Sequence, residues 1–155
     1  MKLWRRRLAL GALAGIGLWL AVCGATCWLL VHRKQGPFPE DPPEAHWLPV
    51  ELSTADGLRV GAWYVPGEPM VLLLHGNGSS RSSETSLIRE LERRGYGVLA
   101  PSLRAHGDSD GSLNDFGCSA RLDVIACVDA LEARGHRCTV FGRSLGASAA
   151  LFAAP

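Results

Sequence analysis

The sequence predicts an α/β fold: a parallel sheet flanked by helices, entered through an antiparallel hairpin and preceded by one apolar helix. Three observations predict it. An uncharged stretch stands apart at the N-terminus. Short apolar runs alternate with helical patterns after residue 70. The turns with unusual chemistry all fall where a predicted strand ends.

Leu8 to Val31 is a run of 24 residues without a charge. As a helix rising ~1.5 Å per residue it reaches about 36 Å, enough to cross a ~30 Å hydrocarbon layer. Lys2, Arg5, Arg6 and Arg7 precede it, and Arg33 and Lys34 follow. The heavier N-terminal flank predicts a single-pass signal anchor with a cytoplasmic N-terminus and the domain on the outer, periplasmic or luminal, side. The alternative is a cleaved and secreted chain, or one lipid-anchored at Cys23. Against cleavage, the apolar run is long for a signal peptide and no A-x-A site follows. The expected division is a basic flank (1–7), a membrane span (8–31), a Pro-rich linker (32–46) and a partial α/β domain (47–155).

From Gly36 onward there are ten basic against fifteen acidic residues, so the domain is mildly acidic. Arg59, Arg89, Arg93, Arg94 and Arg134 are scattered, and no basic patch points to nucleic acid. The five cysteines show no C-x-x-C spacing and the five histidines no H-E-x-x-H. Neither a metal nor a cofactor is expected, and Cys118, Cys127 and Cys138 are expected as buried thiols.

The elements follow in order. Gly36 to Pro43 has four prolines in eight residues, an extended spacer. Trp47 to Ser53 and Leu58 to Val65 flank an Asp56-Gly57 turn, a hairpin. Met70 to Leu74 (MVLLL) is apolar throughout, as suits a strand buried on both faces. Ser83 to Arg94 reads as a helix with Leu87, Ile88 and Leu91 inward and Gly95 as its stop. Tyr96 to Ala100 is a strand. Ser119 to Arg134 is a second helix, with a buried stripe of Leu122, Ile125, Val128 and Leu131 ended by Gly135. Arg137 to Phe141 is a further strand, and a third helix starts at Leu145. Ligands in such sheets bind at the carboxyl ends of the strands, where His75, Arg104 and Ser144 fall.

Gly142-Arg143-Ser144-Leu145-Gly146 fits G-x-S-x-G, the strained strand-to-helix elbow that lifts a nucleophilic hydroxyl clear of a sheet. The glycines let the chain reverse tightly and let the helix approach the strand. Leu145 N–H then faces a developing oxyanion. His75-Gly76-Asn77-Gly78 is a second Gly-rich turn after a buried strand. It offers another backbone donor, Asn77 N–H or else Gly78 N–H, while His75 fixes the turn or acts as a base. Leu103 to Gly111 is the third feature, in which Arg104 and His106 brace a loop, or His106 serves as base.

These residues resemble the α/β-hydrolase superfamily, in particular membrane-anchored serine hydrolases of the serine-aminopeptidase-like group. The resemblance rests on VLLLHGNGSS, YGVLAPSLRAHGDSDG, DVIACVDAL and VFGRSLGASAAL, and it covers Trp47 to Pro155. It implies that Ser144 is the nucleophile, with His75, Gly76, Gly142, Gly146, Arg104 and His106 as structural support. It also implies that the predicted strands are the first five of an eight-stranded sheet. Where such families commonly read D-x-R-G-H-G-x-S-x-G, Ser102 stands for the Asp and Ala105 for the first Gly.

In that family the acid and the histidine of the triad follow the serine. The residues after Ser144 include no Asp, Glu or His. The expectation is therefore an α/β-hydrolase fold incomplete at its C-terminus: a truncated product, inactive by itself, whose complete form cleaves a small-molecule or peptide ester, thioester or amide. The other expectations are a non-catalytic membrane-tethered binding module and a defunct gene fragment.

Overall fold

The structure is a computed structural model and describes residues 2–32 and 39–155. Part of the expected linker, residues 33–38, lies outside the described residues. Two compact units are present, Met1–His32 and Arg33–Pro155.

The first unit is one helix, α1 (Lys2–Val31). It is exposed almost throughout, because its apolar side chains point in every direction and meet no protein surface within the unit. Its segment Leu3–Val31 is long and apolar enough to cross a membrane.

The second unit carries a five-stranded mixed sheet in the order β1-β2-β4-β3-β5, with β1 (Leu48–Ser53), β2 (Arg59–Val65), β3 (Met70–Leu74), β4 (Gly97–Pro101) and β5 (Cys138–Gly142). β1 pairs antiparallel with β2, and β2 antiparallel with β4; β3 is parallel to both β4 and β5. Every residue of β3 and β4 is buried. That is why β3 reads as an unbroken apolar run: a central parallel strand has no solvent face to alternate with. A 3-10 turn (Arg81–Glu84) leads into α2 (Thr85–Arg93), and α3 (Arg121–Glu132) and α4 (Leu145–Ala153) follow β4 and β5.

Two clusters form the core. Leu72, Leu74, Leu99, Leu103, Val124, Cys127, Leu131 and Leu145 make the larger. Trp47, Trp63, Leu73, Ile88 and Val98 make the smaller, with Leu87 and Leu91 of α2 packed against it. Alternate β3 residues thus serve opposite faces of the sheet.

Two expectations need correction. On α3 the buried residues are Asp123, Val124, Cys127 and Leu131, whereas Ile125 is exposed and Leu122 and Val128 are only partly covered. The helix is turned so that Asp123 meets Arg104, and that buried ion pair outranks a tidier apolar stripe. Cys118 is exposed and Cys138 half-buried; of the three cysteines in the domain only Cys127 is fully buried. Its thiol is pushed well above the usual range by burial.

Candidate active site

The chain turns from β5 into α4 at Ser144, with φ 48° and ψ −111°. A non-glycine residue held in positive φ costs of order 1–3 kcal/mol and persists only where its surroundings fix it. Three contacts do so. Arg143 N–H donates to Leu74 O (3.1 Å), Gly146 N–H lies 3.2 Å from His75 O, and Arg143 makes an ion pair with the buried Glu84. A Cβ on Gly142 would lie 2.6 Å from Gly146 C, and one on Gly146 would lie 2.6 Å from Leu74 Cβ. Both flanking positions therefore need glycine: one for the reversal, the other for the approach of α4 to β3.

Ser144 is exposed at the first turn of α4, where the helix dipole favours negative charge. Among the described residues Leu145 N–H donates to no acceptor. The turn after β3 stands alongside: a Cβ on Gly76 would lie 3.8 Å from Ser144 Cβ. Asn77 N–H likewise has no acceptor among the described residues, but Gly78 N–H donates to His106 Nε2 (3.2 Å). Of the two expected donors, Asn77 is thus the one left unused. Its side chain is anchored, since Asn114 Nδ2 donates to Asn77 Oδ1 at 2.6 Å.

Both histidines near this turn are committed to the backbone. His75 is fully buried; its Nδ1 donates to Gly76 O (2.7 Å) and its Nε2 accepts Leu103 N–H (2.9 Å). Burial, offset in part by the Gly76 bond, pushes its pKa down to about 4. His106 Nδ1 lies 2.9 Å from Arg104 O, and its ring meets His75 edge-on with centroids 5.1 Å apart. Neither imidazole is placed as a base beside Ser144.

Arg104 is buried and clamps the loop after β4 by pairing with Asp123 (Nη2–Oδ1 2.8 Å) and Asp56 (Nη1–Oδ2 2.9 Å), while Arg104 N–H donates to Asp123 Oδ2 (2.7 Å). The hydrogen bond from Arg104 holds the Asp56 carboxyl down at about 2. Ala105, where a glycine is common in related motifs, sits at φ 62°, held by Ala105 N–H donating to Asp110 O (2.8 Å).

Sequence reasoning missed Asn114, Arg81 and Glu40. Arg81 is buried and bidentate to Asp108 (2.6 Å for both bonds), with its guanidinium 5.2 Å from the Trp63 ring centroid. Glu40 is buried in the same network, with its carbonyl oxygen accepting Trp63 Nε1–H (2.9 Å). Such pairings join residues up to 62 apart in sequence and leave no local pattern. No group of three or more His, Cys, Asp or Glu able to hold a metal ion occurs among the described residues.

Comparison with known proteins agrees with this fold. Residues 71–155 match the model of the alpha/beta hydrolase family, to which the chain belongs. An uncharacterized protein of Mycobacterium tuberculosis is 30% identical over 157 residues, an alignment spanning 93% of this chain and 54% of that protein. The lysophosphatidylserine lipase ABHD12 of Xenopus tropicalis is 33% identical over 138 residues, covering 72% of this chain and 35% of the lipase. Among solved structures, the Pyrococcus furiosus esterase Pf2001 superimposes with a TM-score of 0.68 at 30% identity, over 79% of this chain and 52% of the esterase. The chain thus spans about half the length of these relatives, or less.

Proposed function

We propose that the chain carries the nucleophile half of a membrane-anchored serine hydrolase that cleaves esters, thioesters or amides by acyl transfer. In this reading Ser144 Oγ attacks the substrate carbonyl, and Leu145 N–H and Asn77 N–H stabilise the oxyanion that forms. The observation that carries the reading is Ser144 itself: an exposed hydroxyl in positive φ, at a helix start, between two glycines with no room for a side chain. Strain held this firmly clusters at functional sites. The esterase and lipase among the relatives support an ester over an amide. The apolar helix fits a substrate met at a membrane.

His75 and His106 are both spent on backbone contacts, so among the described residues neither imidazole serves Ser144 as a base. A serine hydroxyl without an adjacent base is a weak nucleophile, and the residual acceleration from an oxyanion hole and binding is ~10³–10⁴-fold over water. Turnover by these residues alone is therefore expected to be slow.

The test is incubation of the detergent-solubilised chain with an alkyl fluorophosphonate, followed by peptide mass spectrometry. The reading expects slow covalent modification confined to Ser144 and absent from Ser144→Ala. Modification spread over other serines, or none at all, contradicts it. The rate should climb with hydroxide, without the plateau near pH 6–7 that an imidazole base gives.

A further inference from the structure

We infer that Glu40 is a positioning residue for the proposed oxyanion turn: a carboxylate supplied from the segment before the sheet that ties the end of β3 to the end of β4. The inference rests on the acyl-transfer reading for its purpose and on geometry for its substance.

Glu40 lies in a stretch whose composition reads as a solvated spacer, yet it is 8% exposed. Its two carboxylate oxygens take different loops. Ser80, two residues past Gly78, donates its hydroxyl to Oε1, and Ser102, the residue after β4, donates its hydroxyl to Oε2. Arg81 Nη1 lies 3.4 Å from Oε2, so the buried charge is compensated. The Glu40 carbonyl is also used: it accepts Arg81 Nη2–H and Trp63 Nε1–H, each at 2.9 Å. Ser102 Oγ in turn accepts Arg81 N–H at 3.2 Å. A buried carboxylate persists only when paired and hydrogen-bonded, as both Glu40 oxygens are.

The fold leaves room for this group and for little else. A Cβ on Gly107 would lie 2.1 Å from Glu40 Oε2 and 2.6 Å from Ser102 Oγ. Gly107 adjoins His106, whose Nε2 accepts Gly78 N–H. Glu40 therefore holds both loops that flank Asn77: one directly through Ser80, the other through Ser102 and the His106–Gly78 contact. An aspartate at position 102 would carry its Cγ about where Ser102 Oγ stands and could direct a carboxylate oxygen into the space that Glu40 Oε2 fills. A single carboxylate at 102 is thus the proposed equivalent of the Ser102–Glu40 pair.

That equivalence makes the proposal testable by moving the charge. Amide hydrogen exchange is measured on the full chain in detergent for wild type, Glu40→Gln, Glu40→Ala, Ser102→Asp and the double variant Glu40→Ala/Ser102→Asp. Glu40→Ala should raise exchange about tenfold in residues 75–81 and 102–111 while leaving α3 unchanged, because local opening is resolved from global unfolding. Glu40→Gln should show a smaller rise. Ser102→Asp alone should also loosen both loops, since it sets two carboxylates side by side. The double variant should return to within about twofold of wild type, a non-additivity expected only of groups in direct contact. Wild-type exchange in Glu40→Ala, no recovery in the double variant, or a uniform rise across all segments overturns the proposal. Fluorophosphonate labelling of the same samples separates the two readings. Exchange that follows this pattern without any labelling removes the acyl-transfer reading and leaves the hold of Glu40 on the turn intact.

Discussion

Gly146 and Gly76 lie either side of Ser144 and answer different questions. A methyl on Gly146 meets Leu74 Cβ at 2.6 Å and the backbone oxygens of Leu74 and His75 at 2.7 and 2.8 Å, and backbone cannot step aside. Gly146→Ala is therefore expected to destabilise by about 1–3 kcal/mol, read as a fall in the urea midpoint. A methyl on Gly76 meets only Arg143 O at 3.7 Å and Ser144 Cβ at 3.8 Å, ordinary contact distances. Gly76→Ala should keep stability within about 0.5 kcal/mol and still slow phosphonylation of Ser144, because the methyl crowds the hydroxyl. His75 carries the pH dependence. Its pKa falls from 6.5 to about 4 in the fold, so below pH 6.5 the unfolded chain binds a proton that the folded chain refuses. The stability it contributes is full above pH 6.5 and drains away towards pH 4, about 3 kcal/mol in all. Urea titrations at pH 7.5 and 4 measure the loss. An equal loss in His75→Asn would show that another group carries it.

At the scale of elements, the strands were legible because buried parallel strands are apolar on both faces and glycines or turn residues punctuate them. Met70–Leu74 matches residue for residue. Helix faces were less legible. The apolar period of α3 points to Leu122 and Ile125, but the helix turns Asp123 inward to Arg104, a partner 19 residues away that periodicity does not weigh. Glu40 escaped notice for the same reason, since a charge among prolines looks solvated until Arg81, Ser80 and Ser102 are brought to it. The elbow was legible because its requirement is local: two glycines, a serine, a strand before and a helix after. β5 has consequences of its own. It pairs with β3 on one side, ends the sheet of described residues, and exposes Val140 and Phe141. For residues 1–155 taken alone, an apolar edge of this kind is open to pairing with other chains. Phe141→Lys should slow aggregation in light scattering and leave the urea midpoint nearly unchanged; undiminished aggregation would place the sticky surface elsewhere.

For the whole molecule, the apolar helix bears on where the proposed hydrolase would meet its substrate. Both units are present in one chain, which spans 54% of the mycobacterial relative and 52% of the esterase. If α1 anchors the chain as proposed, the protein stays in the membrane pellet after alkaline carbonate extraction; release into the supernatant would remove the anchor. Two loops meet at Ser144, and a crystal structure of the phosphonylated chain would show whether both serve the oxyanion. The phosphoryl oxygen is expected at about 2.7–3.1 Å from both Leu145 N and Asn77 N, with Ser144 still in positive φ. A phosphoryl oxygen turned to solvent, or bonded to neither amide, would contradict it.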